Sequence, residues 1–313
     1  MAAIDILGLA KTYSVGFWRK RPKVALKPLQ LQVEEGEIFG FLGPNGAGKT
    51  TTLKLLMGLV FPTSGTAKIL GRAIGNPQVK AQVGFLPEQP YFYDYLTARE
   101  LLEYYAQLSG VDGKARSGKV REVLSRVGLS DAANLQLRKF SKGMLQRAGI
   151  AQAIVHEPRV LFLDEPMSGL DPMGRREVRD LMDELRQEGR TVFFSTHILS
   201  DAETLCDRVA IIHQGELKGI GAVADLTSSV EGKVEIAWQG MTVPAALQAL
   251  GAQCHLAGDI VRALVPEHNQ DAVLDALRRE GLRIISLTPV RTSLEEYYLR
   301  HLQPSGVSAG AQS

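Results

Sequence analysis

The sequence has few cysteines, little net charge and no long apolar run, and each shortage excludes a class of protein. Only Cys206 and Cys254 occur among 313 residues, without metal-ligand spacing, so we expect reduced thiols in an intracellular protein. A formal net charge of +2 argues against a strongly basic nucleic-acid binder and against an acidic tail. Apolar runs such as Val160–Leu163 are far too short to cross a bilayer. The N-terminus, MAAIDILGLAK, lacks the basic and apolar regions of an export signal.

The remaining composition is that of an ordinary globular protein, with 45% hydrophobic and 22% charged residues. A chain of this length is long for one domain and favours two. The sequence predicts a first domain over residues 1–225, with a helical subdomain at about 88–146. After Leu226 a polar, turn-rich connection is followed by shorter alternating strands and helices. This change predicts a second domain over 226–303, followed by a disordered tail over 304–313.

The segment GEIFGFLGPNGAGKTT combines a short buried strand, a glycine-rich turn and the start of a helix. Its pattern of Gly43, Gly48, Lys49 and Thr50 is that of a P-loop in the required strand–loop–helix context. Glycines allow consecutive N–H groups to point at phosphate oxygens, and the helix dipole adds positive potential. Lys49 can reach the β- and γ-phosphates, and the Thr50 hydroxyl can ligate Mg²⁺. The predicted phosphate-binding residues are Gly43, Pro44, Asn45, Gly46, Ala47, Gly48, Lys49, Thr50 and Thr51.

Two acids follow the apolar run of RVLFLDEP, which predicts a buried parallel strand ending in Asp164 and Glu165. Ligands of open α/β sheets bind at the carboxyl ends of strands, so these acids should meet the phosphates. We expect Asp164 to hold Mg²⁺ through water, and Glu165 to act as the general base on the attacking water. Two adjacent acids after a strand can also be ordinary surface charges. The P-loop upstream favours the interpretation as a functional pair.

The stretch TVFFSTH ends another predicted strand in a polar residue, His197. A single histidine after an apolar strand is more often structural, but this is the third polar group delivered to the same sheet edge. We therefore expect His197 to contact the γ-phosphate and to hold the water and Glu165 in line. Asp171, in the loop SGLDPMG, has two open interpretations, a residue of this site or a helix N-cap.

The stretch FSKGMLQR precedes a segment with good helix formers and helical apolar spacing. Ser141 is therefore a candidate N-cap. A helix N-terminus that carries a serine hydroxyl and the flexible Gly143 forms a phosphate-binding end. Lys142 increases the positive potential there.

The ordered motifs resemble those of ATP-binding-cassette ATPases over roughly residues 4–225, and those that match are Gly43–Thr51, Ser141–Met144, Val160–Pro166, Ser168–Asp171 and His197. The resemblance implies an α/β P-loop NTPase cassette with a parallel-rich sheet core, N-terminal antiparallel strands and a helical subdomain. It also implies ATP and Mg²⁺ as ligands, and a dimer that binds each ATP between the P-loop of one copy and Ser141, Lys142 and Gly143 of the other. FSKGM stands where the family usually has Leu-Ser-Gly-Gly-Gln, with lysine at the third position and methionine at the fifth, while Ser141 and Gly143 are retained.

The resemblance carries over two further positions. Tyr13 matches the aromatic residue that stacks on adenine. The family's Q-loop glutamine directly follows a proline, which assigns Glu88 rather than Gln89 to that role. A glutamate there can ligate Mg²⁺ or orient water.

Two aromatic or basic segments keep alternative interpretations. Tyr91, Phe92, Tyr93 and Tyr95 either pack within the helical subdomain or form a groove for a partner helix. In transporters that the motifs resemble, such a groove receives a coupling helix of the membrane subunit. The basic run from Trp18 to Lys23 is either the solvated tip of an enlarged hairpin connection or a contact with lipid headgroups.

The second domain alternates short predicted strands and helices in a β-α-β-β-α-β order with a closing helix, which predicts a small α+β, ferredoxin-like fold. It carries no cluster of acids, histidines or cysteines with the spacing of a site. We expect a structural or regulatory role.

The sequence and its resemblance together predict the ATP-hydrolysing subunit of an ABC transporter of the exporter-type group. It should dimerise, with itself or with a homologous ATPase, and drive a separate integral membrane subunit from the inner face of the cell membrane. No nucleic-acid partner is expected. One alternative is a soluble cassette ATPase acting on nucleic acid or ribosomes, but such chains usually carry two cassettes or a long coiled-coil insertion. A P-loop kinase of small molecules would leave FSKGM and His197 unexplained.

Overall fold

The computed structural model describes residues 2–16, 18–227, 232–290 and 293–302. Its chain divides into two compact units after Val223, two residues before the predicted boundary at 225. The second unit is Ala224–Arg300. The predicted tail, 304–313, lies outside the described residues.

Within the described residues, the first unit contains ten strands and most of the helices. The strands are β1 (Ala2–Val15), β2 (Arg21–Glu34), β3 (Ile38–Leu42), β4 (Ser64–Ile69), β5 (Arg72–Ala73), β6 (Val83–Leu86), β7 (Val160–Asp164), β8 (Thr191–Thr196), β9 (Arg208–His213) and β10 (Glu216–Ala222). The helices are α1 (Lys49–Leu56), α2 (Pro77–Lys80), α3 (Ala98–Leu108), α4 (Gly113–Arg126), α5 (Lys142–Ile154), α6 (Pro172–Gln187) and α7 (Leu199–Leu205), with α8 (Val223–Leu226) at the boundary between the units.

The central sheet has the strand order β10-β9-β3-β8-β7-β6. All neighbours pair in parallel except β10, which is antiparallel to β9. Every residue of β3, β7 and β8 is buried, as expected for strands covered on both faces. Phe39, Phe162 and Phe193 pack their rings together across these strands. The carboxyl ends of the three strands therefore share one edge of the sheet.

A second sheet, β2-β1-β4-β5, is antiparallel and contains the long N-terminal hairpin. Pairing of β1 with β2 continues as far as Val15 opposite Arg21. The connection is therefore shorter than the sequence predicted, and the placement of Arg21 and Lys23 at its tip was wrong. Both residues lie on β2, and Lys23 is opposite Tyr13.

The second unit is an antiparallel sheet with helices, built from β11 (Lys233–Gln239), α9 (Ala245–Ala249), β12 (Gln253–Ala257), β13 (Ile260–Pro266), α10 (Gln270–Arg279), β14 (Arg283–Pro289) and α11 (Leu294–Leu302). The strand order β12-β13-β11-β14, with all neighbours antiparallel, is the ferredoxin-like order that the sequence predicted. Its core includes the fully buried Trp238, Leu247 and Val261.

Two further properties concern the described residues as a whole. None of their helices has the length and the apolar character needed to cross a membrane. Cys206 and Cys254 are free thiols, and burial raises the pKa of the Cys206 thiol well above its usual value. A raised pKa keeps the thiol protonated and unreactive at neutral pH.

We predict that Leu247→Ala destabilises the second unit by about 2–5 kcal/mol, because it leaves a cavity in a fully buried core. The chain has only two tryptophans, so a Trp18→Phe background makes fluorescence report on Trp238 alone. In a urea titration, Leu247→Ala should lower the midpoint of the fluorescence change. Leu256→Ala, at a largely exposed side chain, is the control. Equal midpoints for the two variants would contradict the prediction.

Candidate nucleotide-binding site

The P-loop connects β3 to α1 and is shaped by glycines whose positions tolerate no side chain. A Cβ at Gly43 would collide with the carbonyl oxygen of Ile212. Gly48 caps α1 with φ 111°, in the left-handed region, and lies against the carbonyl of Ala25. Glycine alone adopts such conformations at low cost. The turn therefore leaves its N–H groups at the start of α1 facing the space beyond the sheet edge.

Lys49 is buried, with 6% of its surface exposed, and its ammonium is held among oxygens. Its Nζ donates hydrogen bonds to the carbonyls of Gly43, at 2.7 Å, and Pro44, at 3.3 Å. It also lies 3.2 Å from Glu165 Oε1. An entering phosphate can replace these partners, since ammonium N–H groups bind phosphate oxygens strongly.

Glu165 is held by hydrogen bonds at its backbone and at Oε2, while Oε1 forms an ion pair with Lys49 that lacks hydrogen-bond geometry. Oε1 faces Lys49, and Oε2 lies 2.9 Å from His197 Nδ1. The backbone has φ 53°, which for a non-glycine residue costs about 1–3 kcal/mol and persists only when the surroundings enforce it. The Glu165 N–H, 3.2 Å from both the hydroxyl and the carbonyl oxygen of Ser195, is one such restraint.

Asp164 presents one carboxylate oxygen for a ligand. Its Oδ1 accepts a hydrogen bond from Ser195 Oγ at 2.5 Å. Its Oδ2 is buried and has no hydrogen-bond partner within the described part of the chain. An orphaned buried anionic oxygen is costly, and a hydrated cation would satisfy it. Together with the Thr50 hydroxyl, this donor chemistry fits Mg²⁺, which takes few protein oxygens alongside waters and phosphates.

A cavity of about 540 Å³ opens over the P-loop and Glu165, and its walls come from distant parts of the first unit; Asp164 and His197 are not among its lining residues. This volume is typical of a small-molecule site. The P-loop and Glu165 form part of it, and the other lining residues are Tyr13, Val15, Lys23, Val24, Ala25 and Glu88. Gln89 is not among the lining residues. Lys11 lies over the Tyr13 ring at 5.0 Å.

Three residues of this region were missed by the sequence analysis. Lys23 lines the cavity because β2 pairs with β1 and places Lys23 opposite Tyr13. The run of basic residues gave no indication of this pairing. Ser195 is a hydroxyl within the buried run of β8, and that contrast was an available signal. Gln146 is buried and donates hydrogen bonds to the carbonyls of Glu165 and Pro166. The available signal was its place on the same helix face as Ile150 and Ala153.

The Ser141 stretch lies on a different surface from the P-loop cavity. Ser141 caps α5 by accepting a hydrogen bond from the Met144 N–H, and Asp171 caps α6 by accepting one from Gly174. Of the two open interpretations of Asp171, the N-cap is the one observed. A second cavity of about 430 Å³ is lined by Ser141, Lys142, Gly143, Gly169, Asp171 and neighbouring residues, with no P-loop residue among them. The chain does not bring its Ser141 stretch to its own P-loop.

A P-loop, an Asp-Glu pair and a histidine at adjacent strand ends, beside a cavity that the P-loop and Glu165 line, define a P-loop nucleotide hydrolase. Residues 26–168 match the family model described as ABC transporter. The chain is 42% identical, over 97% of its length and 86% of the relative's, to an uncharacterized ABC transporter ATP-binding protein, sll0415, of Synechocystis sp.. It belongs to the ABC transporter family, as one of its ATP-binding proteins.

Two other relatives bear on the function. The linearmycin resistance ATP-binding protein LnrL of Bacillus subtilis is 33% identical over 88% of this chain and 93% of its own. The ATP-binding cassette MJ0796, in a dimeric post-hydrolysis state bound to ADP and Pi, superposes with a TM-score of 0.65 at 26% identity. That likeness covers 70% of this chain and 98% of MJ0796. The predicted cassette fold, the ATPase activity, and ATP and Mg²⁺ as ligands are confirmed. The solved structure of cbiO1 from Clostridium perfringens, which is 26% identical with a TM-score of 0.63 over 72% of this chain and 90% of its own, is part of the ABC transporter complex cbiONQ.

We predict that Glu88→Ala lowers the rate of ATP hydrolysis about 10- to 100-fold, because Glu88 lines the cavity and would help to position Mg²⁺ or the attacking water. A loss of this size is expected when reacting groups are displaced by about 1 Å. Gln89→Ala is the matched control and should hydrolyse ATP at close to the wild-type rate. Steady-state phosphate release measures both. A large loss in the Gln89 variant alone would reverse the assignment.

Proposed function

We propose that two copies of this cassette, or one copy and a homologous ATPase, close around two ATP–Mg²⁺ and drive a separate integral membrane permease, in the direction of export. The single observation that carries the proposal is the separation of the Ser141 surface from the P-loop of its own chain. The N-terminus of α5 can bind phosphate but does not reach the P-loop of its own chain. The nucleotide that it contacts would therefore be the one bound in the P-loop of another chain. The dimeric state of MJ0796 supports this arrangement.

The Ser141 surface has the chemistry to bind a phosphate. It combines the N-terminus of α5, the serine hydroxyl and the Lys142 ammonium, which together favour an anion. Lys142 lies over Gly169, where a Cβ would be 2.5 Å from its Nζ. The lysine is therefore held at this surface by its contact with the loop that precedes α6.

The mechanism follows from the contacts of Lys49 and Glu165. A γ-phosphate bound in the P-loop would draw the Lys49 ammonium away from Glu165 Oε1, 3.2 Å distant in this structure. The freed carboxylate can then accept a proton from the attacking water, while His197 orients it through Oε2. Mg²⁺, when bound, neutralises phosphate charge. Closure by the Ser141 surface of the other copy would exclude bulk water.

An aromatic surface on the helical part of the cassette supports a membrane partner. Tyr91, Tyr93 and Tyr95 are 91%, 49% and 61% exposed. Phe92, in contrast, packs inward, since a Cβ at Gly149 of α5 would lie 3.5 Å from its ring. Exposed tyrosines on a rigid base are favoured anchors for a partner helix. We therefore assign this surface to the permease, which would hold the cassette at the inner face of the cell membrane.

Export and the accessory role of the second unit complete the proposal. LnrL, by its name a resistance protein, supports export. We assign residues 226–303 as a structural or regulatory appendage of the cassette over 1–225. We expect no nucleic-acid partner.

We predict that Glu165→Gln accumulates as an ATP-bound dimer, because it keeps the nucleotide contacts and lacks the general base. Adding Ser141→Arg should abolish that dimer, while ATP affinity of the monomer stays within about twofold because the two surfaces are separate. Light scattering after gel filtration measures the dimer. The control is Ser117→Arg, at an exposed serine of α4. A dimer that survives Ser141→Arg would show that this surface does not meet the second nucleotide.

We predict that the tagged chain, purified from detergent-solubilised membranes of its host, recovers a multi-span membrane protein. Replacing Tyr91, Tyr93 and Tyr95 by alanine should lower the recovery at least about tenfold, since aromatic anchors dominate such interfaces. Replacing Trp18 and Phe61, which are also exposed, controls for general loss of aromatic surface. Recovery with RNA or DNA alone would contradict the transporter assignment.

A further inference from the structure

Gln146 connects the helix of the Ser141 surface to the residue after the predicted general base. It lies in the second turn of α5 and only 5% of its surface is exposed. Its Nε2 donates hydrogen bonds to the carbonyls of Glu165, at 3.3 Å, and Pro166, at 2.9 Å. A buried amide whose two N–H groups both bind backbone oxygens is fixed in one orientation. Gln146 therefore restrains the peptide that follows β7.

The restrained peptide is the one that most needs a restraint. Glu165 has a left-handed backbone conformation, with φ 53°, that its residue type does not favour. Ser195 holds its N–H from the side of the sheet, and Gln146 holds its carbonyl from the side of α5. Without the second restraint, the backbone can relax toward an extended conformation. The carboxylate would then turn away from Lys49 and His197.

The same helix begins at the surface proposed to meet the second nucleotide. Ser141 caps α5 five residues before Gln146, a distance of about 7.5 Å along the helix axis. A helix of this length moves as a rigid element, so a displacement of its capped end reaches the Gln146 amide. The path from Ser141 to the Glu165 carbonyl thus consists of one helix and one side chain.

We propose that Gln146 is a positioning residue through which ATP bound at Ser141 sets the geometry of Glu165 toward the ATP in its own P-loop. The inference rests on the dimer proposed above. It gives the two nucleotide sites of that dimer a physical coupling within each chain. ATP bound by one copy would then raise the hydrolysis rate of the other.

The docking of α5 does not depend on Gln146, so a variant at this position can fold. A Cβ at Gly149 would lie 2.5 Å from Leu86, and one at Gly84 would collide with the carbonyl of Ala153. The helix therefore packs against β6 through close backbone contacts along its second half. The function of Gln146 can be separated from this packing by experiment.

The test is Gln146→Met, which keeps the length of the side chain and removes both N–H donors. Gln152→Met is the matched control, because Gln152 lies on the same helix and has no side-chain hydrogen bond within the described residues. We expect Gln146→Met to lower kcat about 10- to 100-fold, as for a general base displaced by about 1 Å. Affinity for a fluorescent ATP analogue and Tm should match the control. The Hill coefficient for ATP hydrolysis should fall toward one.

A second variant, Gln146→Glu, adds a pH readout. Its ionised carboxylate would face two carbonyl oxygens, whereas its protonated form can donate one hydrogen bond to them. Its rate relative to wild type should therefore rise as the pH is lowered from about 8 to about 6, because burial raises the pKa of a carboxyl group. The same ratio for Gln146→Met should stay flat. A flat ratio for both variants would overturn the proposal.

Failure of this inference and failure of the dimer give different results. A wild-type chain whose turnover per molecule does not rise with protein concentration would overturn the dimer, and this proposal with it. A cooperative wild type beside a Gln146→Met variant equal to Gln152→Met would overturn the role of Gln146 alone. So would a variant in which Tm, ATP affinity and rate fall together, since that result assigns Gln146 to packing.

Discussion

The parallel pairing of β3 with β8, and of β8 with β7, is the constraint on which the site depends. The register sets Leu42 opposite Thr196 and Asp164 opposite Ser195, so the three strands end at one level. Buried strands must satisfy their backbone groups in the sheet, which leaves the residues just after them little freedom. Lys49, Glu165 and His197 meet for this reason, although long stretches of sequence separate them.

Features encoded by local pattern were predictable from the sequence. Short apolar runs predicted the buried strands. The polar residues after these runs predicted the sheet edge at which the site lies. The caps at Ser141 and Asp171 belong to the same group, because a cap depends on the residue and the helix that follows it. The alternation of strands and helices was likewise sufficient for the order of the second unit.

Features that depend on the pairing of distant segments were not predictable. Lys23 faces the nucleotide cavity because β2 pairs with β1 at Tyr13, and a run of basic residues carries no sign of that register. Gln146 is buried because α5 packs close to the end of β7, whereas the polar side chain of a glutamine is ordinarily exposed on a helix. The left-handed backbone of Glu165 has no signal in its residue type, since glutamate does not favour it.

The contact between Lys49 and Glu165 links binding to chemistry. Without a phosphate, the carboxylate of Glu165, the proposed general base, and the ammonium of Lys49 form an ion pair, which partly offsets the cost of burying two charges. A γ-phosphate competes for the same ammonium, so the carboxylate becomes free to act only when its substrate is present. Glu165 itself is fixed by groups on β8 and α5 rather than by the nucleotide. Different groups of this chain therefore contact the phosphate and fix Glu165. In the proposed dimer, a second nucleotide would act on Glu165 through α5 without changing how the first phosphate is bound.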